Sequence, residues 1–192
     1  ASALQILAGD SGLRVDSLGA SGVELAAGAP TPTFPRFSSL AMERIVLVRP
    51  GVDATLGSIK IEAGDYIGRT PTHIDGSLEG LSIPVEDLPE SALRANLSAL
   101  KVERLKLNVS LAADWQEAAE QLNIASARLD VAGLGALSAS ASLIRVPRAA
   151  FEHPESLADL TQAAAVKQAQ LNFRDSGLAG RVLAKFAEVN KV

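Results

Sequence analysis

In the stretch "VERLKLNVSLAADW", Leu105, Leu107, Val109 and Leu111 occupy every second position, with Arg104, Lys106, Asn108 and Ser110 between them. A period of two sends alternate side chains to opposite faces of a strand, here one apolar and one wet. The same alternation sets Ile59 and Ile61 against Lys60 and Glu62. It recurs as Leu137, Ala139, Ala141 and Leu143 against Ser138, Ser140 and Ser142, and as Ala169, Leu171 and Phe173 against Gln168, Gln170 and Asn172. Short apolar pieces bounded by Gly, Asp or Ser ("ALQILA", "GLRVDSLG", "GVELAAG") predict further strands joined by tight turns. "MERIVLVRPGVDATLGSIKIEAGD" reads as strand, turn at Pro50 and Gly51, then strand, and "THIDGSLEGLSIPV" as another strand.

"EQLNIASARLDVAGLGALSASASLIRV" predicts a hairpin turning at residues 132–135. In its first arm Leu122 and Ile124 share one parity, and Leu129 and Val131 the other. An unbroken strand would point them to opposite faces, so a bulge within residues 125–127 is expected.

The period changes in "VEDLPESALRANLSAL", where Leu93, Leu97 and Leu100 recur at helical spacing. Asp87 is expected near the start of that helix and Pro89 in its first turn. "RAAFEHPESLADLTQAAA" predicts a second helical region interrupted near Pro154. The ending "SGLAGRVLAKFAEVNK" sets Leu178, Val182, Phe186 and Val189 on one helical face, with Ser176 as cap. Its polar face carries Arg181, Lys185, Glu188 and Lys191, which favours docking of the narrow apolar stripe on the chain's own sheet over a membrane surface.

These elements predict a strand-dominated α+β fold: a curved antiparallel sheet of about ten strands built from hairpins, with about three covering helices, the last amphipathic. At 192 residues the chain suits a single domain over 1–192. "GAPTPTFPRFSS", with Pro30, Pro32 and Pro35, is the one candidate internal boundary, at residues 28–39. "ERIVLVRPGVDATLGSIKI", "SARLDVAGLGALSASASL" and "AQLNFRDSGLAGRVL" read as related hairpin units with irregular spacing.

Composition narrows the function. The chain is 47% hydrophobic but only 4% aromatic, so its apolar faces are aliphatic. With 18 basic and 22 acidic residues dispersed along it, it lacks the basic stripe that phosphate binding requires, and nucleic acid is not an expected partner. Cysteine is absent, which removes disulfides, thiolate nucleophiles and cysteine metal sites together. The opening "ASALQIL" lacks Met and reads as a segment cut from something longer, either by removal of a targeting sequence or anchor upstream or at an arbitrary boundary, two alternatives the sequence does not separate.

The glycine-turned hairpin "LDVAGLGALSASASL", with its outward polar row, resembles the repetitive sheet regions of AsmA-like and YdgA-like envelope proteins of Proteobacteria. "LSALKVERLKLNVSLAADW" and "LNFRDSGLAGRVLAKFAE" are similar to them too, so the likeness spans roughly residues 70 to 190. It implies a periplasmic or membrane-anchored protein facing the periplasm, with a curved antiparallel sheet, in a class connected with lipid handling. An N-terminal anchor, part of that pattern, is not present in this sequence. The pattern holds no catalytic motif, and no functional residue is carried over from it.

Residues suited to catalysis are few. His73, Asp75 and Glu79 share one side of a strand, which can suit a metal or an acid–base pair, but a solvated strand face accounts for them more simply. His153, between Glu152 and Pro154, fits an exposed helix junction. No nucleophile elbow, P-loop or paired-histidine metal motif occurs, and "GLG" at residues 133–135 is a turn without the rest of a dinucleotide fingerprint. Trp115 is read as a ring covering the edge of the core, ahead of an interfacial anchor.

The leading expectation is therefore a non-enzymatic envelope module without cofactor or metal. It would bind lipid or another apolar ligand along a groove lined by Leu105, Leu107, Val109, Leu111, Leu137, Leu143, Leu171 and Phe173, with an envelope protein or peripheral membrane contact as further partners. The alternative is a structural or protein-interaction domain in which helices cover those residues entirely. Helix count against sheet area separates the two.

Overall fold

The computed structural model describes residues 4–8, 11–24, 35–48, 51–154 and 164–190. Nine strands form one antiparallel sheet in strict chain order: β1 (Leu4–Ala8), β2 (Ser11–Ser21), β3 (Ser39–Val48), β4 (Thr55–Ile67), β5 (Thr70–Pro84), β6 (Arg104–Gln116), β7 (Gln121–Val131), β8 (Gly135–Ile144) and β9 (Ala165–Asp175). Among the described residues β1 and β9 are free edges, so the sheet is open. The class is the one the alternation predicts. The strand count falls just short of the expected ten: in "GVELAAG" the described residues 22–24 contribute an isolated bridge, Glu24 to Arg36, and residues 25–28 lie outside those described. Most of the Pro-rich segment also lies outside them, and β2 and β3 on either side of it pair directly.

Three helices accompany the sheet among the described residues: α1 (Ala92–Ala99), α2 (Ala149–Glu152) and α3 (Leu178–Asn190). α1 begins later than Asp87 predicts. Residues Val85–Asp87 form a 3-10 turn, and Leu88, which precedes Pro89, is extended at φ −68° and ψ 145°. Ser91 then caps the helix, its Oγ accepting from the Arg94 amide at 3.3 Å. Asp87 instead accepts from the Asp53 amide at 3.2 Å, pinning the approach to β4. α2 stops at Glu152, just before His153 and Pro154, and residues 155–163 of the predicted helical region lie outside those described.

The end of the chain departs from expectation in three respects. The third hairpin-like unit is a strand running into a helix, β9 into α3. Asp175, one residue before the expected cap, accepts from the Ala179 amide at 3.0 Å, while the Ser176 and Leu178 amides both donate to the Leu134 carbonyl. Finally, α3 does not lay its apolar stripe on the sheet. Arg181 donates to the carbonyls of Leu100 and Lys101, and Lys101 pairs with Glu188 at 3.0 Å. The unpaired carbonyls at the C-terminal end of α1 attract the cation, so the helix docks by its polar side. Val182, Leu183 and Phe186 are left exposed.

Apolar burial is concentrated at the two ends of one sheet face. At one end Leu97 of α1 packs on Val85 and Leu105, with Leu107, Val131 and Leu134 around them. At the other end Trp115, Ile67, Val146 and Ala150 of α2 form a second cluster with Leu122, Leu143 and Phe151. Trp115 is buried, its ring centroid 4.6 Å from that of Phe151, and its Nε1 donates to the Val146 carbonyl at 3.0 Å. It covers the core edge, as its position at a strand end predicts.

The phase of the alternation shifts along a seam crossing β2 to β5. With the regular alternation of β6 as reference, apolar-face residues flank the seam three positions apart: Val15 and Leu18, Met42 and Ile45, Leu56 and Ile59, Leu78 and Leu81. The intervening residues take unusual backbone: Arg44 has φ 50° and Gly80 φ 69°. At Gly57 a Cβ would lie 2.9 Å from the Glu79 carbonyl oxygen, so only glycine fits there without backbone movement. Asn108 of β6 ends the seam, its Oδ1 accepting from the Gly80 amide at 2.7 Å. At its β2 end Arg44 pairs with Asp16 at 2.8 Å, which helps hold Arg44 in its left-handed conformation. A second bulge falls in β7, where the register shifts between Ile124 and Ala127, as the parity of Leu122 and Leu129 requires.

Replacing Trp115 by Ala should cost about 3–5 kcal/mol in urea unfolding, against about 0.5–1.5 kcal/mol for Trp115→Phe, which loses chiefly the Nε1 hydrogen bond. The hydrogen bond from Arg44 holds the Asp16 carboxyl below its ordinary range. A carboxylate whose folded-state pKa is lowered stabilises above its unfolded value, near ~3.9, and loses that contribution as pH falls through the folded value. Asp16→Asn should therefore lower Tm at neutral pH, and the difference from the native chain should vanish once both are acidified well below that range.

Candidate functional site

Between the two capped ends, the apolar face carries a row of directly paired residues across eight strands. Leu18 of β2 faces Met42, Met42 faces Ile59, and Ile59 faces Leu78. The row continues through Val109, Leu129 and Leu137 to Phe173 of β9. Beside it runs a smaller row, Ala20, Leu40, Ile61, Gly76, Leu111, Ala127, Ala139 and Leu171. Neighbouring strands lie about 4.8 Å apart, so a row of eight spans roughly 34 Å of continuous apolar surface.

No helix among the described residues closes this middle region. Leu129 and Leu137, on interior strands, remain 38% exposed, and Val109 and Leu111 39%. On β9, Leu171 is 69% and Phe173 57% exposed. Interior-strand leucines are ordinarily covered by a second layer, and among the described residues none covers these. The Phe173 ring lies over Gly135, where a Cβ would come within 2.7 Å of it, so that glycine is what lets the ring lie down on the face.

All eight expected lining residues share this face, but they divide by position. Val109, Leu111, Leu137, Leu171 and Phe173 line the open middle. Leu105 and Leu107 belong to the cluster under α1, and Leu143 to the one around Trp115 and α2, so these three form the ends of the trough. Leu18, Met42, Ile59, Leu78 and Leu129 complete the central row and are not among the expected lining residues. In β2 to β5 the seam spaces the apolar positions by three, and in β7 the bulge inverts them. The recoverable signal is that the same three-residue step recurs in four consecutive strands.

The opposite face is polar. Ser77, Ser110, Arg128, Ser138 and Asn172 form one of its rows. A depression there of about 300 Å³ is bordered by Glu79, Asn108, Arg128 and Asp130, with Arg128 and Asp130 already paired at 3.3 Å. His73, Asp75 and Glu79 lie on this face and are exposed, and His73 Nδ1 sits 3.7 Å from Asp114 Oδ2. Among the described residues no group of three or more His, Asp or Glu is placed to hold a metal ion. His153 is exposed at the end of α2.

A family model described as an uncharacterised protein matches residues 128–192, about a third of the chain, which takes in the end of β7, β8, α2, β9 and α3. No curated protein and no solved structure matches the chain.

The division between open middle and closed ends has a thermodynamic signature. Leu105→Ala should cost about 2–5 kcal/mol in chemical unfolding, because it empties a buried site under α1. Leu111→Ala, on the same strand and face, should cost about 1 kcal/mol or less, because its side chain is already half in water.

Proposed function

We propose that the chain is a non-enzymatic cell-envelope module that holds an acyl chain, or a ligand of similar apolar form, along the open middle of its sheet. The observation that carries this reading is the uncovered double row from β2 to β9, closed at both ends by the chain's own clusters. Each Å² of apolar surface removed from water by a ligand contributes about 25 cal/mol. The lining is aliphatic except for Phe173 and carries no inward polar group on its central row, so it favours a flexible hydrocarbon over a ring system needing directed hydrogen bonds. The seryl and charged face keeps the other side of the sheet in water while the apolar side is occupied.

Placement in a bacterial envelope rests on the resemblance to AsmA-like and YdgA-like sheets and on this chemistry together. Among the described residues no helix is long and apolar enough to cross a membrane. A protein partner laid on the same rows is the competing occupant.

Titration with a fluorescent fatty acid tests the assignment. Saturable binding is expected, weakened by about tenfold or more when Leu111 and Leu129 are both replaced by Lys, with circular dichroism unchanged. Absence of saturable uptake, or uptake indifferent to the double substitution, would remove the reading.

A further inference from the structure

We propose that β9 is a self-complementary edge through which two copies of the chain join antiparallel, centred on Leu171, making one sheet with a continuous apolar face. The inference stands apart from the lipid reading, because it concerns the edge and holds with or without a ligand.

The two edges of the sheet are built differently. β1 is five residues long, and a short edge strand resists further pairing. β9 is eleven residues long, contains no proline, and has its single lysine at the register shift near its start. Its residues are almost all exposed, and Leu171 and Phe173 are far more open than their partners Ala139 and Leu137 on β8. Apart from that lysine and bulge near its start, β9 presents a row of backbone donors and acceptors with no further strand beyond it among the described residues.

The sequence of β9 also fits its own reverse. With Leu171 facing Leu171 of a second copy, Ala169 faces Phe173, a small residue against a large one. On the polar side Gln170 faces Asn172, and Gln168 faces Arg174. Beyond these pairs Lys167, at the bulge, comes near Asp175, opposite in charge. Among the described residues Lys167, Gln168, Gln170, Asn172 and Arg174 have no side-chain hydrogen bond or ion pair within the chain, so pairing displaces nothing. Asp175 holds Ala179 through one carboxylate oxygen only. Shifting the register by one residue would set apolar side chains against polar ones at every step. A two-fold axis perpendicular to the sheet keeps both apolar rows on the same side, the closed symmetry expected of a self-complementary patch. α3 runs from the end of β9 toward α1, where Arg181 and Glu188 hold it.

The contact is a single strand pair, smaller than the ~1,200 Å² of standard interfaces, so the dimer should dissociate on dilution. The chain has no cysteine, so single-cysteine variants report the register without background. Sedimentation velocity of the native chain over a range of concentrations should show reversible dimerisation, in lipid-free and lipid-loaded protein alike. Under mild oxidation Leu171→Cys should cross-link to itself, since directly opposed residues lie within disulfide reach. Ala169→Cys and Phe173→Cys should each form little covalent dimer alone and cross-link when mixed. A native chain that stays monomeric at every concentration, cross-linking that ignores position, or a different preferred register would overturn the proposal.

Discussion

Everything in this molecule depends on keeping one parity of side chains on one side of a sheet while the chain doubles back strand after strand. A slip of one residue would turn a strand's entire apolar set into water, so each strand must match the phase of its neighbour. The chain holds phase from β6 to β9 with local bulges. From β2 to β5 it shifts phase in a coordinated way, where Arg44, Gly57 and Gly80 take or permit backbone that regular strands avoid. Because four strands step together, the apolar rows on either side of the seam remain unbroken. The helices are secondary to this: they close the ends of a surface that the strands have already defined.

That arrangement explains how a chain so rich in aliphatic residues buries so few of them. Its strands pair only with sequence neighbours, which makes assembly local, and its two clusters anchor the sheet where strands end. The stability of the middle comes from ladder hydrogen bonds and cross-strand pairs, with no second layer above it among the described residues. A surface left open in this way is what an apolar ligand requires, and the same economy leaves β9 as a long unprotected edge.

Much of the architecture was legible from the period of two. The strand positions, the turn at residues 132–135 and the bulge near Ala125 follow from parity alone, because a half-buried strand must keep one face apolar. Five of the eight expected lining residues stand on the open face for the same reason. Leu105, Leu107 and Leu143 have the right parity, but their cover comes from helices, and alternation carries no information about which end of a strand a helix will cross. Leu18 and Met42 are hidden by the seam, since a step of three looks like the end of a strand when strands are read singly, whereas Ile59 alternates with Ile61 and lacks only the cross-strand register that joins it to the row. The capping errors at Asp87 and Ser176 share a local cause: Pro89 holds Leu88 extended, and Asp175 reaches forward from the strand itself. The docking of α3 differs because hydrophobic spacing predicts burial of the apolar stripe, whereas the carbonyls ending α1 offer Arg181 a stronger attachment.

The central claim is that the open face is occupied by hydrocarbon in its native setting. Native mass spectrometry of protein purified from its own kind of cell, followed by organic extraction of whatever it retains, addresses that claim most directly. The account predicts an added mass at defined stoichiometry, released by solvent and identified as a phospholipid or another acyl compound. A bare chain from gently handled cells, with nothing recovered in the extract, would contradict it and turn attention to a protein laid along the same rows.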